Sequence, residues 1–507
     1  MRLTTLNERL SSLAPEHLLG IRRGIEKESL RTNSAGELAS TPHPRRLGSA
    51  LTHPHITTDF SESQIELVTG AHQSVEACLQ ELTEIHRFVY HVIGDELLWV
   101  SSMPCDLPPD EDIPIGQYGT SNVGRAKSVY RMGLSHRYGR RMQTISGIHY
   151  NWSMPGLNDD DYFALIRNFR RQSFWLLMLF GASPTVASDF VKGQAHGLEP
   201  LGDHTLYLPH ATSLRMGRLG YQSDAQSSLA VSYNSLKGYA ASLHAALTQS
   251  YPPYESFGIG DEASGYKQLS TSLLQIENEF YSTIRPKRVI RTGERPLHAL
   301  RERGVEYVEV RCMDLNPYLP IGIDEQTVRF LDVFLLHCLL SPSPFDSPEE
   351  IAALARNQQK VASRGREPGL MLERGHHSVS LREWASEIVH QCHQVAVTLD
   401  EVHGGQAFLD SWRMAAQRIE DYSLMPSAQV VSAIQQAPDQ GHKGFVLDRS
   451  RHAKEALSTR PLSLDLLNRL LEEADKSIEE QTQIEAADAE SFERFRQDYM
   501  SPRHLVV

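Results

Sequence analysis

Four short stretches of this chain alternate polar and apolar residues with a period of two, and their polar positions carry one kind of chemistry. The first is Gly24 to Leu30 (GIEKESL), where Glu26 and Glu28 fall on one face of a strand, roughly 6–7 Å apart. The second is Asp59 to Thr69, where Ile65 and Leu67 alternate with Gln64 and Glu66. The third is Gln143 to Ser153, where Gln143, His149 and Asn151 share a face and Gly147 leaves room between them. The fourth is Val305 to Arg311, with Tyr307, Glu309 and Arg311 opposite Val308 and Val310. An antiparallel sheet with one packed and one wet face reads this way.

Taken singly, a Glu-x-Glu pair also reads as a solvated edge, and a lone strand histidine as a hydrogen-bonded structural residue. If the four stretches are neighbours, the wet face gathers Glu26, Glu28, Glu66, Glu309 and His149, with Asp59 at the start of the second stretch. Two like charges about 4 Å apart repel by about 4 kcal/mol at an effective dielectric of about 20. Such a cluster must protonate or recruit cations. Hard oxygen ligands with one imidazole suit Mg²⁺ or Mn²⁺ and suit a thiolate metal poorly.

The rest of the sequence narrows the field. The net charge is -13 over 507 residues, so no long-range field collects polyanions and no nucleic-acid partner is expected. Five cysteines with no CxxC pair fit neither a zinc ribbon nor a secreted disulfide framework. The longest apolar run, Phe174 to Ala182, is far short of the roughly 20 residues a membrane span needs. No apolar leader is read at the N-terminus. A cytoplasmic protein with reduced thiols and no membrane partner is expected. Walker-type, dinucleotide-binding, HExxH and G-x-S-x-G motifs are all missing.

Helical spacing predicts a short helix at Leu6 to Leu13 and one from Ser74 to about Leu98, with Ser74 as its cap. A single helix is predicted from about Asp161 through FWLLMLF to Gly181. The C-terminal third reads as helical: Asp324 caps one helix, Ser380 and Glu383 form a capping box, and Leu464, Leu467, Leu471 and Ala474 mark a final long helix. Pro104 to Pro114 and Ser341 to Pro348 read as loops. Basic residues cluster at Tyr118 to Arg131, at Ala211 to Tyr221 and at Glu279 to Arg291. Their guanidinium forks suit carboxylates and phosphates, although each run also reads as a solvated basic surface.

The segments GIRRGIEKESLR (from Gly20), GSALTHPHITTDFSESQIELVT (from Gly48), YGTSNVGRAKSVYR (from Tyr118) and MQTISGIHYNWSMP (from Met142) resemble the proteobacterial glutamate–cysteine ligase family. So do LPHATSLRMGRLGY (from Leu208), IRPKR and GVEYVEVRCMDLNP (from Gly304). The likeness is collinear from about residue 20 to 320 and weaker beyond. It implies an α+β fold: a saddle-like antiparallel sheet of the glutamine-synthetase type, with helices packed behind it and a helical C-terminal part. It implies a single catalytic unit over 1–507, with the active-site sheet in 20–320 and a mainly helical part in 321–507.

The implied reaction joins the γ-carboxylate of L-glutamate to the amine of L-cysteine through a γ-glutamyl phosphate, with ATP as co-substrate. The resemblance assigns Glu26, Glu28, Asp59, Glu66, His149 and Glu309 as ligands for Mg²⁺, with Mn²⁺ as the alternative ion. Arg311 stabilises the transferring phosphoryl group, and Glu26 is counted with it as catalytic. Arg215 takes the glutamate α-carboxylate, with Gln143 and Asn151 nearby. Tyr221 and Tyr281 take the cysteine carboxylate, and Phe60, Tyr130 and Leu134 its side chain. Tyr118 to Tyr130 is expected to be a closing loop, and a monomer is the expected state. A related ligase using another amine, and a non-catalytic metal- or nucleotide-binding regulator, remain open.

Overall fold

The computed structural model describes residues 5–220, 224–226, 229–291 and 293–505. One antiparallel sheet organises them. Its strands, in chain order, are β1 (Arg22–Thr32), β2 (Ile56–Thr58), β3 (Gln64–Val68), β4 (Leu97–Leu98), β5 (Ile148–Ser153), β6 (Ile284–Lys287) and β7 (Tyr307–Met313). They lie side by side as β6-β7-β5-β1-β3-β2, with β4 added to β1. The four alternating stretches therefore meet, and the register decides what faces what. Glu28 pairs with Glu66, Glu26 with His149, and Glu309 with both Asn151 and Arg285. Residues directly opposite share a face, so all of these point the same way.

The other face carries Ile25, Ile65, Leu67, Ile148, Tyr150, Trp152, Val308 and Val310, all fully buried. The helices that cover this face or complete the molecule include α1 (Val75–Ile93), α2 (Asn122–Tyr138), α3 (Asp159–Gln172), α4 (Phe174–Phe180) and α5 (Glu325–Leu340). They are followed by α6 (Leu381–His403), α7 (Ala407–Glu420), α8 (Leu464–Ala487) and α9 (Phe492–Tyr499). The expected α+β class, with helices behind the sheet and a helical C-terminal part, is what the chain adopts. α5 is buried along almost its whole length, and its Phe334 packs against Phe169 at 5.5 Å and Trp175 at 5.4 Å. One apolar cluster runs from the back of the sheet through α1, α3, α4, α5 and α6. Each fully buried large aliphatic or aromatic side chain there contributes about 1.5–3 kcal/mol.

Two polar groups interrupt this apolar layer, and each is matched. Arg23 on β1 meets Asp332 of α5 at 3.1 Å, and the Tyr150 hydroxyl donates to the same carboxylate at 2.6 Å. Lys27 donates to His86 Nε2 at 2.9 Å, because His86 Nδ1 already donates to the Leu82 carbonyl at 2.7 Å. Burial without a counter-charge brings Lys27 down to about 7.

The caps read from sequence hold at Ser74, which accepts from the Ala77 amide, and at Asp324, which accepts from Thr327. Several expectations need correction. The helix expected from Asp161 to Gly181 is two helices, broken at Ser173. α3 has one buried face, whereas every residue of α4 is buried, so the chain must redirect to surround the second run. The third strand begins only at Ile148; Gln143 ends a one-turn helix, Arg140–Gln143. Ser380 accepts from the Glu383 amide, which makes half of the expected capping box. The helix read as final is followed by α9. The expected closing loop at Tyr118 to Tyr130 is helical from Asn122 on, since Ser121 caps α2 by accepting from the Gly124 amide.

Removing Asp332 leaves Arg23 charged and buried without its partner. Asp332→Ala is expected to cost about 3–5 kcal/mol, read as a lower denaturant midpoint; Asp332→Asn, which keeps the acceptor for Tyr150, should cost less.

Candidate active site

The wet face of the sheet floors a cavity of about 710 Å³. Glu26, Glu28, Asp59, Glu66, His149, Glu309 and Arg311 all line it, and so do Phe60, Tyr130, Leu134, Gln143 and Tyr281. Ligand atoms of Glu26, Glu66 and His149 lie within 4.8 Å of one another. His149 Nδ1 is 3.1 Å from Glu26 and 3.9 Å from Glu309, while its Nε2 is 3.7 Å from Glu28. That Nε2 is buried and has no hydrogen-bond partner among the described residues. Asn151 Nδ2 donates to Glu26 at 2.8 Å, and the Gly147 amide donates to Glu28 at 2.8 Å.

Charge is balanced unevenly across this floor. Burial pushes Glu66 well above the usual carboxylate range, with Glu26, Asp59 and Glu28 adding to it. Burial and Asp59 push Glu28 up to about 8, against the pull of Arg215. Burial and Glu309 also act to raise Glu26, but its hydrogen bond with His149, together with Lys287, brings it below its ordinary value. Glu309 is the opposite case. Burial acts to raise it, yet Lys287 at 3.0 Å and Arg311 at 2.9 Å hold it well below the usual range. Burial and Arg311 lower His149, so its imidazole is neutral and has a lone pair to offer. The set consists of oxygen donors, one neutral imidazole and unbalanced negative charge. It fits a hard divalent cation.

Other expected residues sit elsewhere. Asn151 does not line the cavity; it orients Glu26. Arg215 is fully buried and does not line the cavity either. Its guanidinium donates to the Arg311 carbonyl at 2.9 Å and lies 3.7 Å from Asp314. It occupies the room that Gly147 leaves: a Cβ there would lie 2.0 Å from its Nη2. From this buried position it pulls on Glu28. Tyr221 lies outside the described residues.

Sequence reasoning passed over several groups. Glu279 lines the cavity and is buried, accepting from Arg137 at 2.9 Å and from the Tyr138 hydroxyl at 2.7 Å. Gln226 donates to Tyr138 at 3.1 Å and accepts from the Tyr281 amide at 3.1 Å, while Gln143 donates to the Tyr281 hydroxyl at 3.1 Å. Tyr281 is thus fixed from both ends. Lys127, Arg131, Lys287 and Arg291 also reach the cavity. They lie in the basic runs noted above, but no spacing rule separates them from their neighbours. Glu480, Ile484, Phe495 and Tyr499 come from far along the chain and carried no signal.

Comparison with known proteins bears on this geometry. Residues 8–361 match the family described as Glutamate-cysteine ligase. The chain belongs to the glutamate–cysteine ligase family. A glutamate–cysteine ligase of Alcanivorax borkumensis is 47% identical over 514 aligned positions, spanning 97% of each chain. That of Pseudomonas entomophila is 47% identical over 510, spanning 97% of this chain and 96% of the other. Among solved structures, the glutamate–cysteine ligase of Francisella tularensis in complex with AMP superposes with a TM-score of 0.90. It is 36% identical and spans 95% of this chain and 97% of its own. A bifunctional glutathione synthetase from Pasteurella multocida gives 0.69 at 25% identity, spanning 91% of this chain and 55% of the other. No helix among the described residues is long and apolar enough to cross a membrane.

The raised carboxyls set a pH dependence. A buried carboxyl with a raised value keeps its proton in the folded state while the unfolded chain loses it, so its contribution to stability is complete below about 4.5. For Glu28 that contribution is lost as pH rises toward about 8. Lys27 acts in the opposite sense, so the informative quantity is the change that Mg²⁺ causes. Because the cation competes with protons on Glu28 and Glu66, the Mg²⁺-induced rise in melting temperature should grow between about pH 6 and about pH 8.5. Calorimetry with and without EDTA checks this; an increment independent of pH would contradict it.

Proposed function

We infer that this chain catalyses the ATP-dependent ligation of L-glutamate to L-cysteine, giving γ-glutamylcysteine, ADP and phosphate. Full-length likeness to glutamate–cysteine ligases supports this, and the observation that carries it is the pairing of an acidic floor with Arg311 in one cavity. In the first step a γ-carboxylate oxygen of glutamate attacks the terminal phosphorus of ATP, and ADP leaves. In the second, the cysteine amine attacks the acyl carbon, loses a proton, and phosphate departs.

Bringing a carboxylate against a triphosphate sets anion against anion. Glu26, Glu66 and His149, with Glu28, Asp59 and Glu309 beside them, would hold Mg²⁺ or Mn²⁺, which when bound supplies the neutralising charge. Arg311, held by Glu309, presents its guanidinium to the same space and offsets charge on the transferring phosphoryl group. Asn151 keeps Glu26 oriented. Tyr281, braced by Gln143 and Gln226, is placed to bind the cysteine carboxylate, with Phe60, Tyr130 and Leu134 around its thiol. Arg215 and Gln143 belong to the glutamate end in this reading. Residues 1–507 act as one catalytic unit, whose natural setting is the cytoplasm and whose working state is a monomer.

The deciding experiment incubates purified protein with ATP, Mg²⁺, glutamate and cysteine and follows ADP. Cysteine-dependent ADP release is expected, and its lack would reject the assignment. Offering 2-aminobutyrate in place of cysteine separates recognition of the thiol from recognition of any amino acid. Glu26→Gln should lower turnover by at least about 100-fold with an unchanged melting temperature in EDTA. Tyr281→Phe should raise KM for cysteine several-fold, roughly one lost hydrogen bond, and leave KM for glutamate alone.

A further inference from the structure

The helix that brings Lys127, Tyr130, Arg131 and Leu134 to the cavity is weak on its own terms. α2 has no acidic residue in its first turn. Arg125, in that turn, adds positive charge to the positive end of the helix's own dipole. Gly124 and Gly133 lower its propensity further.

The missing counter-charges come from the other end of the chain. Glu485 on α8 accepts from the Thr120 amide at 2.8 Å. Asp488, just past α8, accepts from the Asn122 amide, and the Glu490 carbonyl accepts from Asn122 Nδ2 at 3.0 Å. Gly119, at φ +81°, lies under this arm: a Cβ there would be 2.1 Å from Gln481 Nε2 and 2.2 Å from Glu485 Oε1. On the next turn of α2, Phe492 of α9 is 1% exposed in a small cluster with Ala126, Leu269 and Ile276. The Arg125 guanidinium covers its ring at 4.4 Å. The same arm supplies Glu480, Ile484, Phe495 and Tyr499 to the cavity wall. All of it lies beyond the residues 8–361 matched to the family.

We propose that the C-terminal arm, residues 463–505, is a positioning element for the reaction, clamping α2 so that Tyr130 and Leu134 shape the cysteine pocket. The proposal rests on the cysteine-pocket reading given above. Phe492, Glu485 and Asp488 are positioning residues, acting through α2. A shift of about 1 Å in a substrate-holding group costs up to about 100-fold in rate, so a loosened clamp should be visible in kinetics.

The test uses the full-length protein. Phe492→Ala and the double variant Glu485→Gln/Asp488→Asn are compared with Phe492→Leu and with Glu479→Gln, an exposed charge on the same helix. In the first two, KM for cysteine is expected to rise by about tenfold while KM for glutamate stays within about twofold. Amide hydrogen exchange in residues 122–138 should accelerate in both. Phe492→Leu should recover most of the affinity, and Glu479→Gln should match the parent. An unchanged KM for cysteine in both clamp variants overturns the proposal, as does an equal rise for both substrates. Leu134→Ala separates the two readings. If it raises KM for cysteine while the clamp variants do not, the arm proposal alone fails. If it is silent while the clamp variants still raise KM for cysteine, the place of Leu134 in the pocket reading fails and the arm proposal stands; if all three are silent, both fail.

Discussion

The antiparallel register of β3, β1, β5 and β7 forces carboxylates into mutual contact, and the rest of the site answers that fact. Glu28 opposite Glu66 and Glu26 opposite His149 leave no freedom to separate the charges without slipping a strand. A slip of one residue would turn the buried apolar phase to solvent, so the core enforces the electrostatic tension. The tension is resolved differently at the two ends. At β7 the protein supplies its own cations, Lys287 and Arg311, and Glu309 is fully charged. At β3 and β1 little is supplied, and Glu66 and Glu28 are driven toward their neutral forms. One end of the floor thus suits a resident metal ion and the other suits the anion that approaches it.

Such a floor must be rigid, and the back of the sheet shows how. The aliphatic and aromatic layer fixes the strands, and the Arg23–Asp332–Tyr150 group ties β1 and β5 to α5 by charge and hydrogen bond together. A buried ion pair of this kind adds little net stability over apolar packing. Its value lies in direction: α5 has one seat under the sheet. Ligand geometry in the floor is then set by helices that never touch a substrate.

The strands were legible because alternation survives wherever one face is dry and the other wet, and Glu26, Glu28, Glu66, His149 and Glu309 all fall in the wet phase. Helix starts at Ser74 and Asp324 were legible because a capping side chain acts within three residues. What failed was longer in range. The break at Ser173 depends on α4 being enclosed on all sides, which no local pattern states. Gln143 could be placed near the site but not on its one-turn helix. Arg215 lies in a basic stretch like several others, and only the packed structure puts it near Glu28. The arm residues Glu480 and Phe495 lie far beyond the last strand of the sheet, and their side-chain partners, Lys476 for the first and Phe492 and Tyr499 for the second, belong to the arm itself, so nothing local points them to the cavity.

Gly147 and Arg215 have a consequence for how this chain can change. The guanidinium lies where any other residue at 147 would put its first carbon. Neither position is free to drift alone: a larger residue at 147 evicts a buried cation, and a shorter one at 215 opens a void beside a carboxylate already short of positive charge. The volumes of the two side chains in this corner are thus complementary, and a change at one position calls for an answering change at the other.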